Sequence, residues 1–263
     1  MSLGKRIAAA RKAKGMSQTA LAELLDVSTE AVSKWEQNVY RPGREKMARL
    51  ESALDLGAFD KEGELRNRRL FDEEHMSAFL KGKLSAYDLP EAVQALGYAK
   101  EKHEGGFREP KEAKIPYINH PLTMACHALA LGLEDDALIA ALLLHDVVED
   151  CGVRADELPF SPEVQRLVAL VTKPEKPFDE KAYYEAIAGD PKACLVKCID
   201  RCNNLSGMSL GFSAQKIAEY VKETERYYPA LLRIVKNCPE YNNAAWLLQY
   251  QIKSLLELAK RVT

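Results

Sequence analysis

The chain has 263 residues, 47% of them hydrophobic, enough for two modest domains with cores of their own. Its net charge of −2 is unevenly spread: residues 1–57 hold ten Lys/Arg against seven Asp/Glu, so the head carries +3 and the remainder −5. A basic head on an acidic body points to different partners for the two parts. The opening MSLGKRIAAARK lacks the apolar run of a secretion signal. The longest stretch free of Asp, Glu, Lys and Arg, 115–133, contains two prolines, an asparagine, a glycine and two histidines, so no membrane span is expected. Six cysteines without a CxxC pair fit a reduced, cytoplasmic protein.

Apolar residues recur at helical spacing almost throughout, and no run alternates like a half-buried strand. Helices are expected near 3–13, 18–25, 29–37 and 44–54. The stretch 60–75, DKEGELRNRRLFDEEH, carries ten charged side chains and reads as a solvated linker or a polar connecting helix. Further helices are expected near 90–103, 120–131, 136–150, 162–172, 179–188, 191–204, 213–236 and 240–261, with Pro90 and Pro191 in first-turn positions. The expected fold is all-α: a head at 1–58, a charged linker or connecting helix at 59–80 and a larger helical body at 81–263. Cys194, Cys198 and Cys202 fall on one helical face and read as small buried apolar residues.

In the head, Ser17 can cap a helix from Gln18, Gly15 can end the one before, and Ser28 or Thr29 can cap a third. Leu21, Leu24, Leu25, Val27, Val32 and Trp35 would form a small core. That leaves Thr29, Glu30, Ala31, Ser33 and Lys34 on an exposed face and Gln18 at a helix N-terminus, placed to touch a phosphate or an adenine edge. The stretch SQTALAELLDVSTEAVSKWEQ, followed by RPG, resembles the XRE/Cro-type helix-turn-helix family over about a fifth of the chain. The resemblance implies double-stranded DNA as partner, and Gln18, Thr29, Glu30, Ser33, Lys34 and Arg41 are the expected contacts; because one module of +3 charge makes few contacts, a homodimer on a pseudo-palindromic site is expected. The same small bundle could instead serve dimerisation or protein contact.

In the body, LLLHDVVED at 142–150 runs an apolar helical stretch into His145, Asp146, Glu149 and Asp150. Buried carboxylates need compensation, and a divalent cation would supply it; a solvated acidic helix end fits this stretch alone equally well. PYINHP places His120 in a proline-bracketed turn, and CLVKCIDRCNNL places Asp200 in mid-helix, where Lys197 or Arg201 could pair with it. Together the two imidazoles and two carboxylates form a mixed nitrogen and oxygen set suited to Mn²⁺, Fe²⁺ or Zn²⁺. Such a cation makes hydroxide available near neutral pH, and Glu149 and Asp150 could orient or deprotonate that water.

HDVVED, PYINHP and VKCIDRCNN resemble the HD-domain hydrolases of RelA/SpoT-type proteins and small alarmone hydrolases, with matching order and spacing across roughly 85–235. These enzymes remove the 3′-pyrophosphate of (p)ppGpp using Mn²⁺. The resemblance implies metal ligation by His120, His145, Asp146 and Asp200, water activation by Glu149 and Asp150, and substrate contacts by Arg108 and Asn204. A guanidinium fork at Arg108 also suits a pyrophosphate on chemical grounds. Two departures stand out: Arg201-Cys202-Asn203-Asn204 replaces the usual Arg-Leu-His-Asn, and the loop from Arg108 to Tyr117 is longer than in the long bifunctional enzymes. No synthetase-like segment follows before Thr263, so synthesis of (p)ppGpp is not expected. The expectation is a (p)ppGpp hydrolase joined to a DNA-binding head. Its rivals are a phosphohydrolase of another nucleotide, a nucleotide-sensing regulator and an antitoxin-like repressor.

Overall fold

The computed structural model describes residues 3–40, 42–54, 72–107, 115–175, 177–208 and 211–262. Among them the regular structure is helical, with no strand and one isolated antiparallel bridge between Phe107 and Pro116, as an all-α chain requires. The chain divides into two compact units, Met1–Arg69 and Leu70–Thr263.

The first unit comprises α1 (Leu3–Ala13), α2 (Gln18–Leu25), α3 (Thr29–Glu36) and α4 (Arg44–Leu54). Ser17 caps α2 by accepting from the Ala20 amide, and Ser28 caps α3 by accepting from Ala31. Ile7, Leu21, Ala22, Leu25, Val32, Trp35, Leu50 and Leu54 fill the core. Leu24, expected in that core, is 59% exposed. The short helix α2 turns Leu21, Ala22 and Leu25 inward, which leaves Leu24 on the flank of that face, roughly 100° from its centre and open to solvent. A buried ion pair, Arg11 Nε to Glu36 Oε1 at 2.6 Å, ties α1 to the end of α3, and Arg11 also donates to the Met16 carbonyl.

The second unit begins with α5 (Glu73–Ala86), capped by Asp72. Sequence periodicity did not single out this helix, yet Leu80 and Leu84 are fully buried and α5 packs on both α6 (Pro90–Lys102) and α7 (Asn119–Ala130). The centre is α8 (Asp136–Leu144), DALIAALLL, apolar on every face and packed by α6, α7 and α10 (Pro162–Val171). After α11 (Glu180–Ala188), the long helices α12 (Pro191–Gly207), α13 (Ala214–Lys236) and α14 (Asn242–Val262) pack against one another. Cys194, Cys198 and Cys202 are buried free thiols on α12. Among the described residues no helix is long and apolar enough to cross a membrane.

The expected helix 136–150 is two helices. It breaks at His145 and Asp146 and restarts as α9 (Val147–Cys151). The His145 ring explains the break: its Nδ1 lies 2.9 Å from the Leu142 carbonyl, and a carbonyl can only accept, so Nδ1–H donates there. A side chain inserted this way competes for a carbonyl that the next helical turn would use.

The head offers a direct test of its packing. Gly4 seats α1 on the end of α3, and a Cβ there would stand 2.5 Å from the Trp35 carbonyl oxygen and closer still to that of Glu36. Both are backbone atoms and cannot swing aside. Gly4→Ala is expected to destabilise the head by about 1–3 kcal/mol, the usual range for overpacking. Urea unfolding followed by Trp35 fluorescence would show the midpoint fall.

Candidate functional site

The break after α8 points His145 and Asp146 toward a common centre. In a continuous helix adjacent side chains diverge by about 100°; here His145 Nε2 lies 3.0 Å from Asp146 Oδ1. His120, in the first turn of α7, brings its Nε2 within 3.2 Å of Asp200 Oδ1 on α12 and 3.9 Å of Asp146 Oδ2. The two imidazoles meet edge-on with centroids 5.1 Å apart. Ligand atoms of His120, His145 and Asp200 all lie within 4.8 Å of one another, close enough to converge on one ion. Asp146 borders the same centre.

Two features fit this cluster to a divalent cation. His145 Nε2 is buried, and despite its closeness to Asp146 it has no partner in hydrogen-bonding geometry. Because Nδ1–H is committed to the Leu142 carbonyl, neutral His145 must present a lone pair at Nε2, the tautomer a metal requires. Burial opposes protonation of this ring, but Asp146 and Asp200 outweigh it and push the His145 pKa up to about 9. Burial likewise works against the Asp200 carboxylate. Lys197, His120 and His145 overcome that and hold it well below the usual carboxylate range.

Surrounding groups fix the ligands. Tyr117 donates to Asp146 Oδ2 at 2.7 Å, and its ring stacks on buried His103. Asn204 donates to Asp200 Oδ1, while Lys197 lies 3.5 Å from Oδ2. Of the two pairings open to Asp200 in the sequence, Lys197 is therefore the one formed. Arg201 turns instead to Glu223 on α13. Asn203, one of the departures in this motif, points to the other side of α12, where it donates to His127 Nδ1; His127 Nε2 then donates to Gln251. His127 is thus a packing residue. His75 donates its amide to the Asp72 cap of α5, and its ring lies against the same carboxylate.

The cluster opens into a pocket of about 300 Å³. Glu149 stands at its rim, with Oε1 accepting the Lys173 amide at 2.6 Å. Burial raises the Glu149 pKa, and that amide opposes the shift. Asp150 is exposed at the next position, approaching the Tyr117 hydroxyl. The sequence reading missed most of the pocket wall: Lys173, Lys197, Arg201 and Lys216 supply cationic groups, and Phe107, Phe212 and Tyr220 supply aromatic rings. Lys216 lies over Phe212, 4.1 Å from its centroid. Only Lys197 and Arg201, in the CLVKCIDRCNNL stretch, drew attention in the sequence, and there as partners of Asp200; the others are brought in by distant parts of the chain. Arg108 lies outside the described residues.

In the head, Thr29 and Glu30 are exposed and Ser33 and Lys34 half-buried along α3. Lys34 pairs with Glu30 at 2.8 Å, and Gln37 donates to Ser33. Gln18, at the start of α2, donates to Glu36 Oε2 at 2.7 Å, so its amide is engaged within the head. Arg41 lies outside the described residues.

Two family models match the chain: a helix-turn-helix over residues 7–59 and an HD domain over residues 95–232. A guanosine-3′,5′-bis(diphosphate) 3′-pyrophosphohydrolase of Aquifex aeolicus is 35% identical over 150 residues, which is 54% of this chain but 21% of that protein. The MESH1 enzymes of the same description from Xenopus tropicalis and Homo sapiens are 35% and 34% identical over 139 residues, 49% of this chain and 77% of theirs. A solved structure, a metazoan ortholog of SpoT described as hydrolysing ppGpp, is similar with a TM-score of 0.50 at 22% identity. It covers 64% of this chain and 94% of its own, a likeness of fold.

The raised pKa of His145 has a measurable consequence for metal uptake. A cation entering at pH 7 must displace the His145 proton, so binding should release about one proton per ion. Apparent affinity should then rise about tenfold per pH unit and level off above pH 9 or so. Calorimetric titration in buffers of different ionisation heat would count that proton. His145→Ala should lose the ion altogether, and stoichiometric metal retained in that variant would refute the ligand assignment.

Proposed function

The chain belongs to the HD-domain family and carries a helix-turn-helix module at its head, and on that premise we propose that its body is a metal-dependent hydrolase. The reaction is removal of the 3′-pyrophosphate from (p)ppGpp, releasing GDP or GTP and pyrophosphate. The observation that carries this reading is one pocket combining a His/Asp metal cluster with four cationic side chains and aromatic rings. Such a wall suits a ligand that is both aromatic and polyanionic. The printed activity of the MESH1 relatives supports the choice of nucleotide.

His120, His145, Asp146 and Asp200 are the proposed ligands, and their mixed donors suit Mn²⁺, with Fe²⁺ or Zn²⁺ also compatible. A divalent ion bound there would polarise a phosphoryl oxygen and lower the pKa of water toward neutrality. Tyr117 and Leu142 hold Asp146 and His145 in the orientation the cluster needs. Glu149, with Oε1 fixed by the Lys173 amide, has Oε2 left to take the proton of the attacking water. Asp150 is the second acid of the pair. Lys197, Lys173 and Lys216 would counter charge accumulating on the pyrophosphate, Asn204 would contact the nucleotide, and Arg108 is assigned the same anion by resemblance.

Six free thiols, Cys126 to Cys238, fit the proposed cytoplasmic location. The head would bind double-stranded DNA through α3. A single module of +3 charge makes few contacts, so a homodimer is proposed, placing two heads on half-sites about 34–36 Å apart.

Two measurements separate these roles. Glu149→Gln should keep its metal while kcat toward ppGpp falls by about 10²–10⁴, the range for a positioned acid or base. Loss of metal together with activity would make Glu149 a ligand instead. Replacing Lys34 and Arg41 by Ala should weaken operator binding and flatten its salt dependence while hydrolysis continues. A protein that stays monomeric at micromolar concentration, with no affinity for its own promoter region, would return the head to a protein-contact role.

A further inference from the structure

Glu223 lies on α13, a helix that supplies neither a proposed metal ligand nor a proposed acid, yet it joins the two halves of the site. Its Oε1 accepts from Lys173 Nζ and from the Tyr184 hydroxyl, both at 2.7 Å, and its Oε2 accepts from Arg201 Nη2 at 2.5 Å. Each of the two cationic donors is one step from the chemistry. Arg201 follows Asp200 directly on α12 and is clamped between the rings of Tyr220 and Tyr228, 4.2 and 4.7 Å from their centroids. Lys173 carries the backbone amide that donates to Glu149 Oε1 at 2.6 Å.

A carboxylate that gathers two buried donors, Arg201 and Tyr184, and the half-buried Lys173 is costly to break, since removing one partner leaves the others uncompensated. Burial opposes ionisation of Glu223, but Arg201 and Lys173 outweigh it and hold its pKa down at about 2. The carboxylate is therefore charged throughout the physiological range. Glu223 does not line the pocket that holds the metal cluster, so it acts on the reaction through other groups.

We infer that Glu223 is a positioning residue: by anchoring Lys173 to Arg201, it fixes the Lys173 amide and hence the Glu149 carboxylate relative to the Asp200 side of the cluster. This rests on the hydrolase reading above and adds to it the group that sets the spacing between ligands and acid. The carboxylate cannot be replaced by a neutral amide without loss. In Glu223→Gln the new side chain would turn its NH₂ group toward either Arg201 or Lys173 and release that anchor.

The test uses the full chain loaded with Mn²⁺ and ppGpp as substrate. Glu223→Gln should lower kcat about 10- to 100-fold, as outer partners of a site typically do, with KM within about twofold and metal content intact. The decisive comparison is made in the Glu149→Gln background. If Glu223 acts through Glu149, adding Glu223→Gln there should cost less than about twofold, whereas a merely structural role would make the two losses multiply. Should Glu223→Gln fail to fold, Tyr184→Phe removes one of the three donors and should repeat the pattern at about 2- to 5-fold. Multiplying losses, or a wild-type kcat in a well-folded variant, would overturn the inference while leaving the hydrolase reading in place. A wild-type protein that binds Mn²⁺ but leaves ppGpp intact would overturn both.

Discussion

Asp200 sits well inside α12, flanked by Cys198, Ile199 and Cys202, and an uncompensated carboxylate at such a place would cost several kcal/mol. Its compensation comes from every side. Lys197 reaches it from the preceding turn, Asn204 from the following one, and His120 from another helix. Lys197 is itself buried and also leans on the Val171 carbonyl at the end of α10. Satisfying one carboxylate thus fixes the relative placement of α7, α10 and α12, and the proposed ligands are carried on or beside those helices.

His145 resolves a second conflict. Its helix must be apolar on all faces to serve as the centre of the body, yet the site needs an imidazole and a carboxylate at its end. Ending the helix early, with the ring's own Nδ1–H on the Leu142 carbonyl, satisfies both demands. The exchange leaves Nε2 buried beside the Asp146 and Asp200 carboxylates but with no hydrogen bond of good geometry, an arrangement a bound cation would complete. With its other nitrogen committed to the Leu142 carbonyl, this nitrogen is the one His145 can offer to a metal.

The pocket above the cluster adds a third layer. Lys173, Arg201 and Lys216 are each held by a carboxylate or an aromatic face, so the cationic wall is built in place by the fold. Donors held in this way lose little freedom when an anion binds, which is the benefit of preorganisation. The head is organised differently. Its buried pair, Arg11 with Glu36, also engages Gln18, and its exposed α3 pairs Lys34 with Glu30, so part of its polar surface is already in use internally.

The helical character of the chain, the capping serines of the head and the set of His and Asp residues were legible in the sequence because each depends on local chemistry. Periodicity, caps and costly buried charges can be read without knowing what lies across the fold. The same holds for the residue types able to bind a metal and handle a proton. Helix α5 was not singled out, because the Met76, Leu80 and Leu84 spacing is short and adjoins a charged stretch; packing on α6 and α7 decides it. The outward turn of Leu24 was hidden because it depends on which side of a short helix meets its neighbours, and the break at His145 because it depends on the ring turning back onto the Leu142 carbonyl. The choice of Lys197 over Arg201 to compensate Asp200, and the gathering of Arg201, Lys173 and Tyr184 on Glu223, came from packing alone. Those partners are separated by up to 50 residues in the chain, and nothing short of the folded packing brings their charges together.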